Sequence, residues 1–187
     1  PDAIGKSIIG LVAPGQDPTN FNGLNLVQAL IESYNPDTAA FGDPENTWHQ
    51  ALSLLGLKAA NVEIPEGALQ TLLDLQREDG GWEYATGFGT WADSTALALQ
   101  ALLASGLSSG DDAIQNGFNY LRGQQLESGG WGDASTTSFV IMALNASDLH
   151  PDEWRTQSNG TPIPDLFTYQ KPSGAFMFSE DFVDDNL

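Results

Sequence analysis

Residues 75–103 read LQREDGGWEYATGFGTWADSTALALQALL, and residues 124–144 read QQLESGGWGDASTTSFVIMAL. In both, a Gln is followed after three residues by two glycines and a Trp, then by a polar connector and a long apolar run. Gln76, Gly80, Gly81 and Trp82 form the first motif, and Gln125, Gly129, Gly130 and Trp131 the second. A shorter copy, QKPSGAF at 170–176, supplies Gln170, Gly174 and Phe176. Trp82 and Trp131 stand 49 residues apart, and Trp131 and Phe176 stand 45 apart. An internal period of that length implies stacked helical units, each burying its apolar face on the next. Thr47, Thr95 and Thr137 recur in the same register, separated by 48 and 42 residues. The unequal steps place the length variation in the connectors.

Two kinds of helix are expected to alternate around the motif. The stretch 65–76, PEGALQTLLDLQ, opens with Pro65 at a first helical position and sets Glu66, Gln70 and Asp74 opposite Ala68, Leu69, Leu72 and Leu73. The stretch 113–125 repeats this amphipathic design, with Ile114, Phe118 and Leu121 opposing Gln115, Asn119 and Arg122. By contrast, 93–105 and 135–147 are apolar around most of their circumference after an Asp or Ser able to cap them. Residues 46–57 and 2–13 belong with them. Helices apolar on all sides need neighbours on several sides, so the alternation predicts an all-α fold in two concentric layers. The inner helices then start at one end, near residues 46, 93 and 135, just after connectors rich in aromatic and acidic residues. The motif itself reads as a structural clamp. Its glycines suit positive φ, its Gln reaches exposed backbone groups and its Trp covers the apolar stem.

Composition narrows the function. The chain has 187 residues, 41% of them apolar, enough for one core, and a single domain across 1–187 is the expectation. Six Lys and Arg against 25 Asp and Glu give a formal charge of −19, which repels nucleic acid and anionic lipid. The absence of Cys excludes disulfides, thiolate metal ligands and cysteine nucleophiles. No apolar run approaches the roughly 18 residues a membrane span requires, so no membrane insertion is expected.

The motifs QREDGGW (76–82), QLESGGW (125–131) and QKPSGAF (170–176), with YNPDTAAFG (34–42) as a degenerate first copy, resemble the repeats of squalene and hopene cyclases and of protein prenyltransferase β-subunits. That resemblance implies an α/α-toroid of paired inner and outer helices. The chain length accommodates about four pairs, fewer than a closed six-pair ring, so the toroid is expected to be small or incomplete, with a further helix or a partner chain completing it. The wording of the stretches NLVQALIESYNPDTAAFGD, TALALQALLASG and AIQNGFNYLRGQQ is most similar to stand-alone bacterial repeat proteins of this superfamily, which implies an exported or surface-displayed protein. Animal cobalamin carriers share only the fold.

The superfamily's chemistries can be checked residue by residue. Class II terpene cyclases protonate an alkene with the middle Asp of a DxDDTA element. The corresponding place here reads WADSTA, which keeps Asp93 but has Trp91 and Ser94 where the flanking acids belong. Asp93 also reads as a helix N-cap. The prenyltransferase zinc site and the thioester of related toroids both require Cys. His49 and His150 have no second ligand at helical spacing, and no GxSxG or GxxxxGK[ST] occurs. The acidic stretches 42–46, 78–80 and 179–185 offer oxygen ligands for calcium without EF-hand spacing; no other cofactor is expected. Trp48, His49, Tyr84, Phe88, Trp91 and Asp93 fall near the inner-helix starts. They mark either an aromatic-lined pocket for a lipid, isoprenoid or peptide segment, or side chains that plug the centre. The favoured reading is a non-catalytic ligand-binding or protein-interaction module; a cyclase-like enzyme using Asp93 and an architectural spacer are the alternatives.

Overall fold

The structure, a computed structural model, describes residues 1–179. Among them, eight α-helices carry most of the fold: α1 (Asp2–Val12), α2 (Leu26–Glu32), α3 (Thr47–Ala59), α4 (Ala68–Asp74), α5 (Ala92–Ala104), α6 (Asp112–Gln124), α7 (Ala134–Ala146) and α8 (Pro162–Thr168). Two short antiparallel hairpins interrupt them, β1 (Tyr34–Asn35) with β2 (Ala40–Phe41) and β3 (Trp82–Glu83) with β4 (Thr90–Trp91). The chain is mostly helical, in keeping with an all-α class.

The odd-numbered helices pack in sequence, α1 on α3, α3 on α5 and α5 on α7, and each even-numbered helix packs on the odd one before it. The all-round apolar runs lie in α3, α5 and α7, whereas α1, expected with them, buries only Gly5 and Ile8. Leu97, Leu99 and Leu102 of α5 are buried on different sides of their helix, because α3, α6 and α7 surround it. Between α1 and α3 the close approach depends on glycine. A Cβ on Gly5 would collide with the Leu52 carbonyl oxygen, and one on Gly56 would stand 2.8 Å from the Gly5 Cα.

The Gln-to-Trp motif makes the same turn three times. The amide of the residue after each Gln donates to the carbonyl four positions on: Arg77 to Gly81, Leu126 to Gly130 and Lys171 to Ala175. Gln76 Nε2 donates to the carbonyls of Gly80 and Ala113, the latter at the start of α6. Gln125 Nε2 likewise joins Gly129 to Trp154, so these two Gln tie their own turn to the next repeat. The Trp indoles point back into the preceding even helix, with Trp82 Nε1 donating to Leu72 and Trp131 Nε1 to Leu121. Trp82 is wholly buried, and truncating so enclosed a ring to Ala typically costs about 3–5 kcal/mol.

Several details differ from the sequence expectation. Only the first glycine of each pair has positive φ, Gly80 at 86° and Gly129 at 108°. Gly81 and Gly130 are needed for space, against the Tyr120 ring and the Asp165 carboxylate respectively. Thr47 is not the counterpart of Thr95 and Thr137. Those two hydroxyls accept the backbone N–H of Trp82 and Trp131, and in the first copy Gln50 Oε1 does this for Phe41. Gln50, Thr95 and Thr137 each hold the fourth position of their helix. The helix after Pro65 begins only at Ala68, preceded by Gly67 at φ 83°. Asp93 does not cap α5: Trp91 occupies the N-cap and Asp93 is the second helical residue. In the third copy the turn and the Gln170–Gly174 bond form, yet Phe176 stays 43% exposed, its ring tilted against that of Phe167.

Candidate functional site

The hairpin β3–β4 positions most of the predicted aromatic residues. Its loop is organised around Glu83, whose carboxylate accepts Arg77 Nη2 at 2.7 Å and the backbone N–H groups of Gly87 and Gly89. The bond from Arg77 is the main reason the Glu83 carboxyl lies below its usual range, with burial opposing it and the Gly87 amide adding to it. Main-chain bonds then seat the loop on the start of α3, Thr47 N–H to the Tyr84 carbonyl and Thr86 N–H to the Glu45 carbonyl.

That docking brings Tyr84 onto Trp48, ring centroids 5.9 Å apart, with Phe88 beyond it at 5.9 Å from Tyr84. Two residues outside the expected set complete the cluster. Phe139 of α7 meets Trp48 edge-on at 5.6 Å, and Lys6 Nζ of α1 stands 5.6 Å over the Trp48 ring. Trp48 Nε1 donates to Ser94 Oγ, which in turn donates to Asp93 Oδ1. Side chains from α1, α3, α5 and α7 thus converge on one half-buried indole, and Trp48 fills the space between them. His49 lies apart from this cluster. Its Nδ1 accepts the Asp43 N–H, and its Nε2 is 3.9 Å from Asp2 at the start of α1.

Trp91 belongs to a different place. It is 61% exposed and borders a cleft of about 440 Å³ that also takes in Asp93, Tyr120, Gln124, Trp131 and Asp133. The Trp91 Nε1 donates to the Phe88 carbonyl at 3.2 Å, which fixes the ring and leaves its faces open. Asp133 caps α7, its two oxygens accepting the N–H and hydroxyl of Thr136. Burial pushes the Tyr120 phenol above its ordinary range; Thr90 pulls the other way, and the carboxylates of Asp79 and Asp93 add to the rise. The wall therefore holds a neutral phenol, open indole faces and two carboxylates.

Asp93 Oδ1 accepts both the N–H and the hydroxyl of Ser94. Its neighbours Trp91 and Ser94 are the N-cap and the third residue of α5. No protein-family model matches this chain. Among the described residues no group of three or more His, Asp or Glu is arranged to hold a metal ion. In the stretches 42–46 and 78–80, Asp43 and Asp79 bond within their own turns, Asp43 to the Glu45 N–H and Asp79 to the Gly81 N–H and the Thr90 hydroxyl. The stretch 179–185 lies, from residue 180 on, outside the described residues. No described helix is long and apolar enough to cross a membrane.

Sequence reading therefore placed the six candidates at one mouth, and the structure divides them. Trp48, Tyr84 and Phe88 form the packed cluster, Trp91 and Asp93 the open cleft, and His49 neither. Phe139 went unnoticed because it sits inside an apolar run and reads as core. Tyr120 and Gln124 lie on the amphipathic α6, 29 or more residues from Trp91 in sequence, and only the fold brings them beside it.

Proposed function

We propose that the chain is an incomplete α/α-toroid of four helix pairs that works as a non-catalytic binding module, taking an extended peptide segment of a partner in the Trp91 cleft. The observation that carries this reading is the contrast between two indoles. Trp48 is covered by Tyr84, Phe139 and Lys6, whereas Trp91 stands 61% exposed above a cleft of about 440 Å³. Exposed, rigidly held Trp at a concave site is characteristic of binding surfaces. Asp93 Oδ2 and the Gln124 amide, which no hydrogen bond among the described residues satisfies, suit a peptide better than a hydrocarbon chain, since an isoprenoid would leave them without partners. The row of odd helices with even helices behind it supports the toroid, and the export of the protein rests on the sequence resemblance to bacterial repeat proteins alone.

A peptide array of random 12-mers, probed with the wild type and with Trp91→Ala and Trp48→Phe, tests this. We expect bound peptides to be lost with Trp91→Ala and kept with Trp48→Phe. Conversion of squalene to a cyclic product, detected by gas chromatography and abolished in Asp93→Asn, would instead establish the enzyme reading and overturn this one.

A further inference from the structure

The protein's tryptophans differ in what covers them. Trp82 and Trp131 are buried and spend their indole N–H on backbone carbonyls. Trp48 has Lys6 Nζ 5.6 Å from its ring, and Trp154 has the Arg122 guanidinium at 3.8 Å, where burial lowers that group's pKa. Trp91 is the exception. Among the described residues no ring and no cation lies on it, and none of the six Lys and Arg borders its cleft. The cleft carries Asp93 and Asp133 instead, and no donor among the described residues reaches Asp93 Oδ2.

We infer that the Trp91 cleft takes the basic side chain, Arg or Lys, of the partner peptide, with its cationic head on the Trp91 face and between the Asp93 and Asp133 carboxylates. This rests on the binding reading above and names the residue the cleft selects. A cation over an indole gains from the ring's quadrupole, and an adjacent carboxylate supplies the charge-assisted hydrogen bond that the ring cannot. An open Trp face, two carboxylates and no resident cation describe a site whose missing element is a positive charge. The formal charge of −19 on the whole chain adds long-range attraction to the same kind of partner. Planar guanidinium fits better than ammonium, because it stacks on the ring while its edge faces the carboxylates.

Calorimetry with the tripeptide Ac-Gly-Arg-Gly-NH2 and its citrulline counterpart, which keeps the shape and loses the charge, decides the matter. We expect the arginine peptide to bind about tenfold more tightly. That preference should shrink in the double variant Asp93→Asn with Asp133→Asn, which keeps the ring and removes the carboxylates and where the amide oxygen introduced by the second change still caps α7, and binding of both peptides should fail in Trp91→Ala. Equal affinity for the two peptides, lost in Trp91→Ala, would overturn the cation inference and leave the binding reading intact. Binding of neither peptide by a wild type of unchanged circular dichroism would overturn both.

Discussion

Asp165 shows how much a single position can depart from the repeat. It lies on α8 against Gly130, where the previous repeat sets Tyr120 against Gly81. Tyr120 fills that space with a ring and points its hydroxyl toward Thr90. Asp165 fills it with a carboxylate that is 5% exposed and whose Oδ2 meets no hydrogen-bond donor among the described residues. A buried polar group left without a partner costs roughly 1–3 kcal/mol, and a charged one more. Asp165→Asn, which keeps the shape and removes the charge, is therefore expected to stabilise the protein by about 1 kcal/mol in urea unfolding. A loss of stability would mean that the carboxylate charge is satisfied in the folded protein. Nothing in the sequence marked this residue. PIPDL reads as a connector, and its burial follows from Gly130, 35 positions earlier.

At the scale of elements, the hairpin β3–β4 matters most, since it sets Tyr84 on Trp48 and presents Trp91. Its loop is tied down at Glu83, by Arg77 on one side and the Gly87 and Gly89 amides on the other. The folded-state pKa of Glu83 is lowered, so its contribution is fully present above the ordinary carboxyl range and is lost as pH falls through the folded value. The stability difference between wild type and Glu83→Gln should accordingly be constant from pH 7 to about pH 5 and shrink as the pH is taken lower. A difference that grows on acidification would remove Glu83 from this role. The helices were legible to different degrees for physical reasons. α3, α5 and α7 announced themselves through apolar residues spread around most of a 13-residue helix, because each is enclosed by neighbours, whereas α1 buries only Gly5 and Ile8. α2 and α8 are seven residues each, too short to show a period. In α8, Pro162 and Pro164 further disguise the helix. The hairpins were hidden in connectors, where two-residue strands carry no alternation to read.

At the scale of the molecule, the repeat register set Trp91 and Asp93 at a helix start, and they lie at the start of α5, but it suggested one mouth where there are two environments. The separation arises because α7 swings Phe139 onto Trp48 while α6 lays Tyr120 and Gln124 beside Trp91. Neither neighbour is visible from local sequence. The proposed partner is received by the second environment, and not the first. A nitrogen-edited proton spectrum resolves the indole N–H groups of all five Trp and can be followed while Ac-Gly-Arg-Gly-NH2 is added. We expect a saturable shift of the Trp91 signal while the Trp48 signal stays in place. Movement of Trp48 with Trp91 unmoved would contradict it and return the binding site to the packed aromatic cluster.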